Sequence, residues 1–256
     1  MTKGPAGTPG FIELRRDGRV LVITMCRTGK RNAVDRAMAD ALDQALNLLD
    51  DDDDLWAGVL AGGPAVFCAG SDLTSGGDYV TERGGEYGII RRARRKPLIA
   101  AVEGAALGGG LEIVLACDLV VASVNASFGL PEVAIGVVPT CGALFRGPNA
   151  FPLNLARQLA LTGKPISAER AHQTGFVNEL TASGESLDKA ILLAGEICEN
   201  APRSVQSSLK AINDLVHGES DWQFTEHAIS MVRGSEDSAE GVRSFLEKRK
   251  PVWTGR

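Results

Sequence analysis

The segment that decides the fold reads KPLIAAVEGAALGGGLEIVLACD and runs from Lys96 to Asp118. Its first apolar run, Leu98–Val102, follows a proline and is typical of a buried strand. Three glycines, Gly108–Gly110, then precede the apolar stretch Leu111–Ala116, which favours a helix. A strand, a glycine turn and a helix in this order predict one unit of an α/β protein.

The flanking sequence repeats the same alternation. Three further segments predict strands. Val20–Met25 is rich in β-branched residues, Val59–Ala61 is short and apolar, and Asp118–Ser123 continues the pattern after the helix. Asp35 is a helix cap, and Asp50–Asp54 is expected to end that helix as a solvated loop. The apolar residues of this helix recur at helical spacing: Met38, Leu42, Ala45 and Leu49. Repeated strand–helix–strand units predict a parallel or mixed sheet covered by helices.

Strand patterns fade after about Pro152, and a helical region is expected there. The predicted helices are Leu153–Leu161, Ala168–Thr174, Leu187–Glu199, Ser204–Val216 and Ser238–Lys248. We therefore divide the chain into a flexible tail at residues 1–10, a β/α core that carries the active site at residues 11–195, and a helical region at residues 196–256.

Composition narrows the classes of function. The chain has 256 residues, of which 44% are hydrophobic, and its net charge is −5, which argues against a broad basic surface for nucleic acid. The histidines lack metal-ligand spacing, and the five cysteines are scattered without a CxxC pair, so we expect no metal site and reduced cysteines in a cytoplasmic protein. The first ten residues lack the apolar region of a signal peptide, and no run is apolar over the ~18 residues that a membrane span needs.

The triple glycine carries the first chemical hypothesis. The chain lacks GxxxxGK[ST], GxSxG and GxGxxG, which disfavours P-loop, serine-hydrolase and dinucleotide sites. Two explanations remain open for Gly108–Gly110: backbone N–H groups at a helix start that stabilise an oxyanion, or close packing of helix on strand. Glu112 lies two residues later in an otherwise apolar helix, where an ionisable group is better explained by catalysis than by the helix dipole.

Two further segments are ambiguous when each is taken alone. FCAGSDL, Phe67–Leu73, follows a predicted strand and could offer another backbone N–H or be an ordinary loop. FGLPE, Phe128–Glu132, ends in an acid directly after a proline, which could be exposed or could point into a site.

Together these segments, with RNAVD at Arg31–Asp35 and FLEKRKP at Phe245–Pro251, resemble the crotonase superfamily of enoyl-CoA hydratases and isomerases along nearly the whole chain. The resemblance implies an α/β crotonase spiral of repeated ββα units with a helical C-terminal trimerisation region, in a homotrimer or a dimer of trimers. It implies an acyl-CoA thioester substrate, with coenzyme A as part of the substrate and no separate cofactor. The thioester oxygen would bind the N–H groups of Ser71 and Gly109. Glu112 would hold and activate water, and Glu132 would exchange the proton at the substrate carbon.

The resemblance also implies a set of substrate-binding positions. They are Lys30, Arg31, Ala33, Ala69, Ser71, Asp72, Leu73, Thr74, Gly108, Gly109, Phe245 and Lys248. The basic run Arg91–Lys96 could add phosphate contacts, although cations at an exposed helix end explain it at least as well. Glu103 is a third acid near the site, for which a surface role at a strand end is the safer interpretation.

One departure leaves the acyl group open. The family often has a glycine-rich PGxGGTQRL where this chain reads PTCGALFR, Pro139–Arg146, and that variant is similar to the carnitinyl-CoA dehydratase-like branch. The leading hypothesis is a 2-enoyl-CoA hydratase. The alternatives are an enoyl-CoA isomerase, a carnitinyl-CoA-type dehydratase, and a non-catalytic CoA-ester- or RNA-binding homologue.

Overall fold

The computed structural model describes residues 10–75, 79–216 and 219–254, so the expected flexible tail lies outside the described residues except for Gly10. The strands are β1 Ile12–Asp17, β2 Val20–Met25, β3 Ala57–Ala61, β4 Val66–Cys68, β5 Val80–Thr81, β6 Gly85–Glu86, β7 Leu98–Val102, β8 Ala105–Leu107, β9 Leu119–Ser123, β10 Ser127–Gly129, β11 Ile166–Ser167 and β12 Glu179–Thr181. The helices are α1 Arg36–Asp51, α2 Gly109–Leu115, α3 Ala143–Ala150, α4 Leu153–Thr162, α5 Ala168–Gln173, α6 Ser186–Cys198, α7 Pro202–Val216, α8 Glu219–Val232 and α9 Glu236–Leu246.

Two sheets share the strands in alternation. The larger sheet has the order β1-β2-β3-β7-β9-β12 and is parallel except for the β1–β2 hairpin. The smaller sheet has the order β11-β10-β8-β4, and β3–β4, β7–β8 and β9–β10 each step from the larger sheet to the smaller one. This repeated step, followed by a helix after β8, is the predicted spiral of ββα units, and the α/β prediction is confirmed.

Strands β3 and β7 in the middle of the larger sheet are buried along their whole length, which explains why they are apolar without interruption. The edge strand β1 is mostly exposed and carries charged residues. Val22, Val59 and Ile99 lie opposite one another in register and pack on α6 through Ala190 and Ala194. The alternate residues of β2, such as Leu21 and Ile23, point into the core between the sheets and α1, since side chains alternate along a strand.

Local signals located most of the elements. The Asp35 carboxylate caps α1 by accepting from the Met38 N–H at 2.9 Å, as the sequence predicts. The sequence analysis missed β1, β5, β6, β8 and β10, and its expectation that strands end near Pro152 is wrong because β11 and β12 follow. Apart from β1, these strands have only two or three residues, too short for a clear alternation. It also missed α8.

The charged runs correct two sequence-based expectations. Arg92 donates to Asp43 at 2.6 Å and to Asp50 at 3.1 Å, so Asp50 is a buried part of α1 and not a solvated loop. Arg94 forms a two-pronged ion pair with Asp118 at 2.7 and 3.1 Å. The run Arg91–Lys96 is therefore neither an exposed helix end nor wholly free for phosphates.

The C-terminal part of the chain is helical, as expected. The proposed boundary at residue 195 falls inside α6, and the helices beyond the sheet begin with α7. Helix α9 packs back on the segment Pro131–Ile135, where a Cβ placed on Gly241 would lie 2.1 Å from the Ile135 carbonyl oxygen. Among the described residues, none of the helices combines the length and apolar character needed to cross a membrane.

Candidate functional site

Glu112 is held at the start of α2 and is almost completely buried. Its Oε1 accepts hydrogen bonds from the Cys141 N–H at 2.8 Å and from the Ala143 N–H at 3.0 Å. Burial raises the pKa of Glu112 to about 7, although these two N–H groups and the charge of Arg146 act in the opposite direction. The carboxylate is thus fixed through one oxygen and can exchange a proton near neutral pH.

Glu132 lies in the short 3₁₀ segment Pro131–Ile135 and is also buried. Within the described part of the chain its Oε2 has no hydrogen-bond partner, which is unusual for a buried carboxyl oxygen. Burial first, and then the charge of Glu112, raise the pKa of Glu132 to about 8. Of these two buried carboxyl groups one is hydrogen-bonded and one is free, and the charge of the first raises the pKa of the second. Such a pair is suited to acid and base roles on a single substrate.

The triple glycine makes a tight turn beside Glu132 and packs closely on a neighbouring strand. Gly108 has φ +56°, and a Cβ there would lie 3.2 Å from Glu132 Oε1, so the backbone turns beside that acid. A Cβ on Gly110 would lie 2.1 Å from the Cys68 carbonyl oxygen, so this glycine permits close packing of α2 on β4.

Ser71 and Gly109 lie on two segments that touch. A Cβ on Gly70 would lie 3.0 Å from the Gly109 nitrogen. Val34 bonds to the Gly70 carbonyl and to the Asp72 N–H, each at 2.8 Å, so Ser71 turns its own N–H away from Val34. In the described chain, neither the Ser71 nor the Gly109 N–H donates to a protein acceptor. Two uncommitted N–H groups beside two acids form a candidate oxyanion hole.

The expected coenzyme A positions lie on separate segments of the chain. Lys30, Arg31 and Ala33 form the turn before α1, and the Ala69 N–H donates to the Arg31 carbonyl at 3.1 Å. Phe245 in the last turn of α9 and Lys248 just beyond it are both exposed.

Not every predicted position is free to bind through its side chain. The Asp72 carboxylate pairs with Arg27 at 2.9 Å and accepts from the Thr74 hydroxyl at 2.6 Å, and hydrogen bonding to Thr74 helps to lower its pKa. Leu73 remains largely exposed. Glu103 accepts from the N–H groups of Gly184 and Ser186, each at 2.9 Å, and so holds the start of α6. The role of Glu103 is therefore structural, which agrees with the interpretation that places it at a strand end and outside catalysis.

Sequence reasoning missed the tyrosines of this site. The Tyr87 hydroxyl lies 2.7 Å from Ser71 Oγ, and the Tyr79 and Tyr87 ring centroids are 4.7 Å apart. Burial raises the pKa of Tyr79, and hydrogen bonding to Ser71, Tyr87 and Thr140 partly offsets that rise. No local motif marks either tyrosine, since only the fold brings them to Ser71. Glu112 is held by Cys141 and Ala143, and both lie in the stretch that departs from the family pattern.

The described residues contain no group of three or more His, Cys, Asp or Glu side chains placed to hold a metal ion.

The chain is similar to known proteins in both sequence and fold. Residues 15–256 match the sequence profile of a family described as enoyl-CoA hydratase/isomerase. A carnitinyl-CoA dehydratase of Salmonella agona is 36% identical over 259 residues, which cover 96% of this chain and 98% of that protein. The crystal structure of carnitinyl-CoA hydratase from Mycobacterium avium superposes with a TM-score of 0.92 at 39% identity, covering 97% of this chain and 100% of the other. An enoyl-CoA hydratase from Mycobacterium tuberculosis H37Rv gives a TM-score of 0.78 at 40% identity, again over 97% and 100%.

Proposed function

Since the chain belongs to the enoyl-CoA hydratase/isomerase family, we propose that it adds water reversibly to a 2-enoyl-CoA through Glu112 and Glu132. It is a hydro-lyase of acyl-CoA thioesters. The observation that carries this proposal is the acid pair itself. Both carboxyl groups are buried, and burial raises the pKa of Glu112 to about 7 and that of Glu132 to about 8. The charge of Glu112 contributes to the raised pKa of Glu132.

The contacts of the two acids favour different roles. Glu112 is anchored through Oε1 by two backbone N–H groups, so the carboxylate is oriented and its other oxygen can hold the attacking water. Glu132 has the higher pKa and a buried oxygen without a protein partner, so it is the acid that protonates the α-carbon. In the reverse direction Glu132 removes the α-proton and Glu112 donates to the departing hydroxyl.

The backbone supplies the electrostatic part of catalysis. Addition of water to the β-carbon moves negative charge to the thioester oxygen, and that charge must be stabilised. We assign this role to the N–H groups of Ser71 and Gly109, which donate to no acceptor in the described chain. Loss of one such donor typically costs about 3–4 kcal/mol of transition-state stabilisation. The reaction proposed here needs only protons, water and these donors, so we keep the prediction that no separate cofactor takes part.

The test is hydration of crotonyl-CoA, followed by the loss of absorbance of the enoyl thioester. Glu112→Gln and Glu132→Gln keep the side-chain shape and should each lower kcat by roughly 10²–10⁴. Glu103→Gln is the matched control, because it makes the same change in a glutamate that only holds α6. Wild-type rates in both site variants would contradict the proposed mechanism. Deuterium exchange at the α-carbon without hydration would favour the isomerase alternative.

A second candidate substrate is a carnitinyl-type acyl group, and the polar lining of the site favours it. The hydroxyls of Ser71, Tyr79, Tyr87 and Thr140 lie close together near Glu112. A saturated acyl chain has no polar group to hydrogen-bond with them, whereas a carnitinyl-type acyl group has. The similar proteins of Salmonella agona and Mycobacterium avium carry the same substrate class in their names. A panel of straight-chain, hydroxylated and carnitinyl-CoA esters decides the matter. A higher kcat/KM for straight-chain esters would exclude this candidate.

We also propose that the chain forms a homotrimer or a dimer of trimers and acts in the cytoplasm. Large apolar side chains on three different helices are mostly exposed in the single chain: Leu161 at 75%, Leu192 at 64% and Ile212 at 60%. Burial of this apolar surface between copies of the chain would be favourable, which supports assembly. Light scattering should give about three or six times the chain mass of 27.0 kDa, and a monomer would contradict this proposal.

A further inference from the structure

Tyr87 is held in one position by its backbone and its surroundings. Its φ is +57°, a left-handed conformation that a bulky residue rarely adopts, and its N–H donates to the Tyr79 carbonyl at 2.9 Å. A Cβ on the next residue, Gly88, would lie 2.5 Å from the Ala39 carbonyl oxygen, so this loop is docked tightly on α1. The side chain of Tyr87 is 1% exposed. A residue kept in a disfavoured conformation by close packing is a candidate for function.

The Tyr87 hydroxyl touches both residues that carry the uncommitted N–H groups. It shares a 2.7 Å hydrogen bond with Ser71 Oγ. It also faces Gly109, because a Cβ on that residue would lie 2.3 Å from the hydroxyl oxygen and 2.7 Å from the ring carbon that bears it. The phenol therefore occupies the space that any side chain at residue 109 would fill.

The chemistry of the contact requires a neutral phenol. Burial raises the pKa of Tyr87 well above its ordinary value, and the neighbouring Cys141, Tyr79 and Glu112 act in the same direction. A neutral hydroxyl adds no negative charge beside a developing oxyanion and can still share a hydrogen bond with Ser71. The Ser71 side chain is thereby tied to a rigid wall, while its N–H remains uncommitted.

We propose that Tyr87 is a positioning residue for the oxyanion hole, whose hydroxyl holds Ser71 and walls Gly109 so that both N–H groups face the thioester oxygen. This inference rests on the proposed function of the site. It adds a residue that acts through Ser71.

The test combines Tyr87→Phe, Ser71→Ala and the double variant. Tyr87→Phe keeps the ring and should lower kcat about tenfold, the factor that loss of one hydrogen bond produces, while KM changes by less than about twofold. If Tyr87 acts through Ser71, the double variant will be no slower than Ser71→Ala alone. Ser123→Ala is the matched control, since it removes a buried hydroxyl that donates to the Glu103 carbonyl outside the site.

A spectroscopic readout separates positioning from general damage. Hexa-2,4-dienoyl-CoA absorbs at longer wavelength when hydrogen bonds polarise its thioester carbonyl, so the shift on binding should be smaller in Tyr87→Phe and unchanged in Ser123→Ala. A wild-type kcat and shift in Tyr87→Phe, or additive losses in the double variant, would overturn the proposal.

The remaining outcomes are equally decisive. If Tyr87→Phe does not fold, Ser71→Ala carries the test, and a wild-type kcat and shift there would overturn the inference. If the wild type hydrates no enoyl-CoA, the proposed function fails, whereas the dienoyl shift still reports on the positioning of the two N–H groups.

Discussion

The buried state of Glu132 predicts that this acid costs the protein stability as the pH rises. Its pKa is raised from an ordinary 4.5 to about 8, and its side chain is only 9% exposed. In between these values the folded protein keeps the proton and the unfolded chain releases it, so a rising pH favours unfolding. At about 1.4 kcal/mol for each pKa unit, the stability lost across this window is about 5 kcal/mol.

Glu132→Gln removes this titration and keeps the shape of the side chain. The free energy of unfolding should therefore fall less steeply with pH in the variant than in the wild type, and the difference between them should grow from about pH 5 to about pH 8 and then level off. Urea unfolding measures this difference in the free energy of unfolding. The protein concentration must be the same throughout, because subunit assembly also contributes to stability.

A double variant sharpens this design. Since the charge of Glu112 is the second cause of the raised pKa, the pH-dependent difference should be smaller when Glu132→Gln is compared in a Glu112→Gln background. A constant offset between wild type and Glu132→Gln at every pH would refute the reasoning. So would a variant that loses stability, relative to wild type, as the pH rises.

The remaining predictions concern the rate and the core. The hydration rate should peak between about pH 7 and about pH 8, because Glu112 must be ionised to act on water and Glu132 must be protonated to donate. A flat rate from about pH 6 to about pH 9 would contradict this assignment. Asp118→Asn should destabilise the fold by about 3–5 kcal/mol in urea unfolding, since it leaves the buried Arg94 guanidinium without its ion pair. Asp17→Asn is the control, because its pair with Arg15 is exposed and should be worth less than about 1 kcal/mol; equal losses in the two variants would show that burial does not decide the effect.

The parts of the site that the sequence could predict are those carried by short motifs. Glu112, Gly109 and the helix that bears them follow from an acid and three glycines in one apolar segment. Glu132 and Ser71 were ambiguous by themselves and became specific only through the family pattern. The structure then brought the segments of Ser71 and Gly109 into contact and placed Glu112 near enough to act on Glu132.

Contacts between distant residues could not be predicted in the same way. The N–H of Cys141 reaches Glu112 across 29 positions, and the hydroxyl of Tyr87 reaches Ser71 across 16 positions. Neither contact leaves a periodicity or a spacing in the sequence. The run Arg91–Lys96 shows the opposite error, because a visible cluster of charge suggested a surface role while Arg92 and Arg94 are buried in ion pairs.

The sequence by itself determined the α/β class, the strands and helices with strong local patterns, the cap of α1 and the family. Apolar periodicity, turn residues and capping act over a few residues, so they can be read locally. Only the tertiary structure decided how the two carboxyl groups titrate, which N–H groups stay uncommitted and where Tyr87 lies. Burial and through-space contact create those properties, and they arise only when segments far apart in the chain come together.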